Sequence, residues 1–331
     1  MESGTSLRQK IADDQLASDL VVSFFVAALK SYKFDSLLKP FPSSFSKEDG
    51  EKDMALLEKT VEEMPTLRYL ASNGICTGDS NLNQDLICWI LERGSFSIRT
   101  LKSSQFEEIR KQTGETVPVT NPDFVFEVIP SEADEAKFKE TRCQRKTMFA
   151  YHGSRLENFH SILHNGLASH MNKTSVFGEG TYLSSELSVS LLYSPTGLGW
   201  EKSCLGHKLS CVAVCEIIDD NSVKCQLKED GSNGRVKKTR AYAANSEGGD
   251  VPEKYYIVQN NDMLRVKYLL LYVEKTSQPK SPIRTQRWHN SWLYQHRFIL
   301  MIVLYVLLLV LVAVYNSRAF QYHLRKFWKS K

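Results

Sequence analysis

Apolar residues recur at helical spacing in the first part of the chain. Four of them share one face of a helix: Leu16, Leu20, Phe24 and Ala28. We predict that this helix ends before Pro40 and Pro42, because proline interrupts a helix. The same spacing predicts further helices at residues 53–63, 65–73 and 83–93. No catalytic constellation appears here, so residues 1–94 are predicted to form an all-helical domain.

Beyond this region the pattern changes to alternation and short apolar runs, which are typical of strands. Residues 95–101 alternate, and a capping box at residues 104–107 precedes a helix that ends at Gly114. Later strands are predicted at residues 123–129, 147–153, 209–217, 255–260 and 264–274, with a shorter one at Tyr182. Helices are predicted at residues 155–165 and about 185–194. Many strands with few helices indicate an α+β fold.

One apolar run differs from all the others. Residues 298–315 read FILMIVLYVLLLVLVAVY and contain no charge, which predicts a transmembrane helix. The run at residues 20–29 is too short to cross a bilayer and is predicted to be a buried helix. The chain thus divides into the helical domain, a mixed domain at 95–275, a basic linker at 276–297, the membrane helix, and a short lumenal tail at 316–331.

The orientation of this anchor follows from its position rather than from charge. Basic residues lie on both sides of the apolar run, so the positive-inside rule does not decide. Residues 1–19 carry acidic side chains and contain no apolar h-region, so we expect no signal peptide. We expect insertion after translation, with the bulk of the chain in the cytosol.

Composition narrows the possible partners and cofactors. The net charge of +4 over 331 residues is too small to indicate nucleic acid as the main partner. The seven cysteines show no CxxC spacing, so neither a zinc site nor a disulfide framework is expected. Cys211 and Cys215 alternate with apolar residues and are predicted to be small buried side chains.

Three blocks carry candidate chemistry. The first reads AYHGSR, where a strand ends at His152 and Gly153 lets the backbone approach a ligand closely. The second reads FGEGTY and is followed by a helix with Ser190 and Tyr193 three positions apart, which could bond an amide and stack on a flat ring. The third is YYIV, where alternation sends Tyr255 and Tyr256 to opposite faces. Alone, each block is weak evidence.

Together, HGSR, FGEGTY and YIV followed by KYLL resemble the catalytic domain of the poly(ADP-ribose) polymerase family, a diphtheria-toxin-like ADP-ribosyltransferase family. The resemblance covers residues 95–275 and implies two packed, mainly antiparallel sheets, with NAD as co-substrate and no metal. With both ends included, the chain is similar to tail-anchored mono-ADP-ribosyltransferases of the endoplasmic reticulum and nuclear envelope. Implied partners are NAD, acceptor proteins near that membrane, and the bilayer through residues 298–315.

The resemblance also implies roles for individual residues. The family's histidine matching His152 bonds the adenosine-side ribose of NAD, and Ser154 matches another contact to that ribose. The backbone at Gly153 and the hydroxyl of Ser190 match the groups that hold the nicotinamide amide. Residues 168–176 match the loop over the donor site.

Three tyrosines complete the implied site. Tyr182 matches a residue packed on the nicotinamide-ribose side, and Tyr193 one stacked on the nicotinamide ring. Tyr255 stands where polymer-forming members have a glutamate, and a neutral phenol cannot act as that base at neutral pH. We expect His152, Tyr182 and Tyr255 to be the catalytic residues, and transfer of a single ADP-ribose to proteins, with release of nicotinamide. The alternative is a catalytically silent module that binds NAD or ADP-ribose.

Overall fold

The structure is a computed structural model that describes residues 2–73, 82–167, 176–226, 240–242, 246–274, 301 and 305–308. It divides into two compact units, Met1–Glu274 and Lys275–Lys331. The predicted helical domain and nearly all of the predicted mixed domain lie within the first unit.

The N-terminal region is helical, as predicted. Its most buried element is α2, which is almost entirely enclosed and begins after Asp14, whose side chain accepts from the Ala17 amide at 2.9 Å. Two of these N-terminal helices, α1 and α3, were not predicted from the sequence. The helices are α1 (Glu2–Asp13), α2 (Gln15–Leu29), α3 (Phe34–Leu37), α4 (Met54–Glu63), α5 (Leu67–Asn73) and α6 (Leu82–Glu92).

The second region is built on antiparallel strands, as an α+β fold requires. The strands are β1 (Phe96–Leu101), β2 (Phe124–Pro130), β3 (Thr147–Gly153), β4 (Thr181–Ser184), β5 (Gly197–Leu198), β6 (Lys208–Ile218), β7 (Tyr255–Val258) and β8 (Leu264–Val273). Their order is β1-β2-β8-β6-β3-β4-β7, with β5 paired to β6. Strand β6 is central and buried beyond its first residue. Cys211 and Cys215 lie fully buried in it, which confirms that prediction.

The expectation of two separate packed sheets needs correction. All the strands above belong to one hydrogen-bonded network. The β3–β4 junction is narrow, because a single residue pair, Tyr151 and Ser184, joins the two strands. The antiparallel pair of β4 and β7 therefore extends the sheet from one point.

Helices surround this sheet, namely α7 (Phe106–Thr113), α8 (Glu132–Arg142), α9 (Phe159–Asn165) and α10 (Leu187–Leu192). The predicted capping box at residues 104–107 is wrong in detail. The observed contact lies two residues earlier, where the Gln105 side chain accepts from the Lys102 amide at 3.0 Å. Helix α7 ends at Gly114 in a left-handed conformation, as predicted.

The predicted membrane segment falls largely outside the described residues. Of residues 298–315, only Met301 and residues 305–308 are described, and these are helical. Within the described part of the chain, no helix combines the length and apolar character needed to cross a bilayer. Most of the polar stretch at residues 228–250 also lies outside the described residues.

The helical region packs against the helix that follows the HGSR block. Phe24 of α2 stacks on Phe159 of α9 with ring centroids 5.1 Å apart. His160 lies 3 % exposed, with Nε2 3.1 Å from the Pro40 carbonyl oxygen. Asn165 donates to the Lys39 carbonyl at 2.9 Å. These contacts fix α9 to the N-terminal helices.

This interface predicts a pH-dependent stability. Burial lowers the pKa of His160 from 6.5 to about 4, so the folded state favours the neutral ring. The contribution is complete above pH 6.5 and is lost as the pH falls toward about 4. The free energy of unfolding of wild type should therefore fall between pH 6.5 and about pH 4. In H160Q, which keeps a donor for Pro40, we expect this fall to be smaller by about 2 kcal/mol.

Chemical denaturation at pH 7 and at pH 4.5 measures this difference. The exposed His207 provides the matched control, H207Q, which should follow the wild-type profile. Parallel profiles for H160Q and wild type would contradict the assignment.

Candidate active site

A cavity of about 340 Å³ opens between the end of β3, strand β4, helix α10 and strand β7. It brings together six of the seven residues proposed from the sequence: His152, Gly153, Tyr182, Ser190, Tyr193 and Tyr255. These residues come from all three sequence blocks. Antiparallel pairing of β3 with β4, and of β4 with β7, is what places the blocks side by side.

His152 is held in one tautomer at the end of β3. Its Nδ1 lies 2.9 Å from the carbonyl oxygen of Tyr182. Because a carbonyl can only accept, Nδ1 carries the proton and Nε2 is left as an acceptor. Burial lowers the pKa of His152, so the ring is neutral at neutral pH. A neutral imidazole of this kind suits a donor such as a sugar hydroxyl.

Gly153 is required by a close approach between β3 and α10. A Cβ added there would lie 1.9 Å from the Ser190 carbonyl oxygen and 2.9 Å from the Tyr193 Cβ. No side chain fits in that space, so only glycine lets the strand backbone reach the cavity at this point.

Ser190 of α10 and Tyr193 just after it both line the cavity but differ in exposure. Ser190 is buried, and its hydroxyl donates to the Tyr151 carbonyl at 3.1 Å. Its lone pairs can still accept from a ligand amide. Tyr193 follows the helix and is 61 % exposed, so it is not part of the core. A flat ligand ring can therefore stack on it without displacing core contacts.

Tyr182 shapes the cavity through its own loop. Its hydroxyl accepts from the Phe177 amide at 3.0 Å and donates to the Gly178 carbonyl at 2.7 Å. Burial raises the pKa of Tyr182. Because the hydroxyl is already bonded twice within the loop, the ring is the part of Tyr182 that can meet a ligand.

The paired tyrosines of β7 face opposite ways, as alternation predicts. Tyr255 lines the cavity, and its ring centroid lies 6.5 Å from that of Phe177. Tyr256 packs against the main apolar core. Burial raises the pKa of Tyr255, so the phenol is neutral at neutral pH and does not act as a general base.

Ser154 is the proposed residue that does not line the cavity. Its amide donates to the Ser194 hydroxyl at 3.1 Å, and its own hydroxyl accepts from Asn158 at 2.8 Å. These bonds hold the turn between β3 and α9.

Several cavity residues were not singled out from the sequence. They are Phe177, Leu183, Ser184 and Val189, together with Val176, which was included only as the last residue of the expected loop. Phe177 could have been found, since it is an aromatic residue beside the glycines of the FGEG block. The rest of that expected loop, residues 168–175, lies outside the described residues.

The chain is similar to known proteins over both its helical and its strand-rich regions. Residues 103–274 match the poly(ADP-ribose) polymerase catalytic domain, and residues 9–91 match the ARTD15 N-terminal domain. The chain is 48 % identical over 323 residues to protein mono-ADP-ribosyltransferase PARP16 of Homo sapiens, covering 97 % of this chain and 96 % of the relative. The chain is 46 % identical over 329 residues to PARP16 of Mus musculus, covering 99 % of this chain and 98 % of the relative. Protein mono-ADP-ribosyltransferase PARP8 of Mus musculus is 26 % identical over 204 residues, which cover 56 % of this chain and 23 % of the relative.

Proposed function

Because the chain belongs to the poly(ADP-ribose) polymerase family, we propose that the cavity between β3, β4, α10 and β7 binds NAD and supports transfer of a single ADP-ribose to protein side chains. The chain is an NAD-dependent mono-ADP-ribosyltransferase by its family and by its near full-length similarity to enzymes of that name. The observation that carries the assignment of the site is the convergence of all three sequence blocks on one cavity.

The residues present fit the nicotinamide end of NAD. The backbone at Gly153 is open to close approach, as no side chain stands there. Ser190 offers hydroxyl lone pairs beside it, and Tyr193 offers an exposed ring. If Gly153 and Ser190 hold the amide of nicotinamide, its aromatic ring lies on Tyr193. His152 provides a neutral acceptor for a ribose hydroxyl.

This arrangement promotes cleavage by orienting the leaving group. The bond between C1′ of the ribose and the nicotinamide nitrogen breaks, and its electron pair leaves with nicotinamide. An oxygen or nitrogen of the acceptor side chain then forms the new bond to C1′ and loses its proton to solvent. The aromatic wall of Phe177 and Tyr255 shields the developing positive charge from water until that attack.

Tyr255 limits the reaction to one transfer. Chain elongation needs a group that activates a hydroxyl of the ADP-ribose already attached, and a neutral phenol is a poor base for that step. We therefore propose that each acceptor site receives one unit, and that the chain is itself among the acceptors.

Incubation of the detergent-solubilised full chain with labelled NAD tests this function. We expect label on the protein together with released nicotinamide. Saturable binding of NAD without any transferred label would support the silent-module alternative instead.

We also propose that residues 298–315 anchor the enzyme in the endoplasmic reticulum membrane and the continuous nuclear envelope, with the catalytic region on the cytosolic side. The support is the uninterrupted apolar run itself, which has the length of a bilayer-spanning helix.

Removal of residues 298–331 tests the anchor. The truncated chain should move from the membrane pellet to the supernatant after cell fractionation, because it lacks the apolar run. Replacement of only the tail at 316–331 by an unrelated polar sequence is the control and should leave the protein in the pellet. A truncated chain that stays bound after an alkaline wash would contradict the anchor.

A further inference from the structure

The helix that carries Ser190 lacks a cap of its own. Helix α10 spans Leu187–Leu192, and Glu186, in the capping position, makes no side-chain hydrogen bond to it. The first amides of a helix have no partner within the helix and need one from elsewhere. Here the partner comes from 72 residues earlier, since the Glu115 Oε2 accepts from the Leu187 amide at 2.7 Å.

Glu115 is buried and is held in place by hydrogen bonds. It is 8 % exposed, and its other carboxylate oxygen accepts from the Val117 amide at 3.2 Å. It directly follows Gly114, whose left-handed backbone ends α7. A carboxylate at a helix N-terminus is favoured by the helix dipole, and a charged acceptor makes the stronger hydrogen bond.

The start of α10 is coupled to the cavity by packing. Leu187 is fully buried in the same apolar cluster as Tyr151, and Tyr151 supplies the carbonyl that accepts from Ser190. The Ser190 carbonyl in turn lies directly over Gly153. A shift at Leu187 therefore moves Ser190 and Tyr193 relative to the end of β3.

A neighbouring ion pair couples the same turn to β7. Glu186 pairs with Lys254, which immediately precedes Tyr255. The Lys254 carbonyl also accepts from the Ser184 hydroxyl at 2.9 Å and from the Ser185 amide at 3.0 Å. The turn that Glu115 fixes is thus bonded to both sides of the cavity.

We infer that Glu115 is a positioning residue for the NAD cavity: its carboxylate holds the N-terminus of α10 and thereby sets the positions of Ser190 and Tyr193. This inference rests on the proposed function of the cavity. Glu115 does not line that cavity and so acts through α10.

The test compares E115A with E115Q, which keeps one acceptor oxygen for Leu187. Calorimetry of the detergent-solubilised full chain with NAD gives the affinity, and hydrogen exchange without NAD gives the protection of amides 187–193. Loss of a charge-assisted bond predicts an increase of about tenfold in the NAD dissociation constant for E115A. E115Q should stay within about threefold of wild type. Exchange at 187–193 should be faster in E115A than in E115Q.

The control is E140A, at an exposed position on α8, which should match wild type in both measurements. A purely structural role would lower the melting temperature of E115A while leaving its NAD affinity and its 187–193 exchange equal to those of E140A, and this would overturn the inference. Absence of NAD binding by wild type would overturn the proposed function instead, because the exchange measurement does not depend on NAD.

Discussion

Replacing Gly153 with alanine is expected to weaken NAD binding strongly and to destabilise the protein. The added Cβ would lie 1.9 Å from the Ser190 carbonyl oxygen, a separation that no relaxation of a side chain can relieve. Either β3 or α10 must move, and both carry cavity residues. We expect a loss of unfolding free energy of about 1–3 kcal/mol, typical of overpacking. The NAD affinity should fall at least about 100-fold, since the two ligand-holding groups separate.

Gly199 offers the matched control. A Cβ at Gly199 would make only ordinary contacts of 3.4 Å with Leu209 and Ser23, so G199A should bind NAD as wild type does. Thermal unfolding and calorimetry measure both effects. A G153A protein that keeps wild-type NAD affinity would show that the strand backbone at 153 does not border the donor site.

Replacing His152 with alanine should remove most transfer activity. The substitution deletes the acceptor at Nε2 and also the bond from Nδ1 to the Tyr182 carbonyl, at a place where β3 and β4 share only one residue pair. Loss of a buried hydrogen-bonding group at the substrate predicts a fall in kcat/KM of about 10- to 100-fold.

Two variants separate the contact with substrate from the support of β4. H152Q can still donate to the Tyr182 carbonyl and should preserve the melting temperature, although its transfer rate remains low. H207A changes an exposed histidine and should have no effect on either quantity. Equal kcat/KM for H152A and wild type would remove His152 from the site.

The parts of the site that depend on local pattern were predictable from the sequence. Alternation along β7 predicted that Tyr255 and Tyr256 face opposite ways, and the structure confirms it. The prediction that Cys211 and Cys215 are buried came from the same kind of alternation. Each of these depends on neighbours a few residues apart, which the sequence displays directly.

The features that were missed depend on distant contacts or weak patterning. Helix α8 has a single buried side chain, Phe138, so its sequence shows no apolar stripe. The contact of Glu115 with Leu187 joins residues 72 apart, and nothing local distinguishes this glutamate from exposed ones. The narrow β3–β4 junction is likewise a matter of strand pairing, which strand patterns do not specify.

The most direct test of the central claim is the chemical length of the product. Protein labelled with radioactive NAD by the full chain is digested with phosphodiesterase, which releases AMP from a single ADP-ribose and phosphoribosyl-AMP from internal units of a polymer. If the cavity that contains His152 and Tyr255 transfers one ADP-ribose per site, wild type should give AMP alone. H152A should give a strongly reduced yield of AMP. Phosphoribosyl-AMP from wild type, or an undiminished yield from H152A, would contradict it.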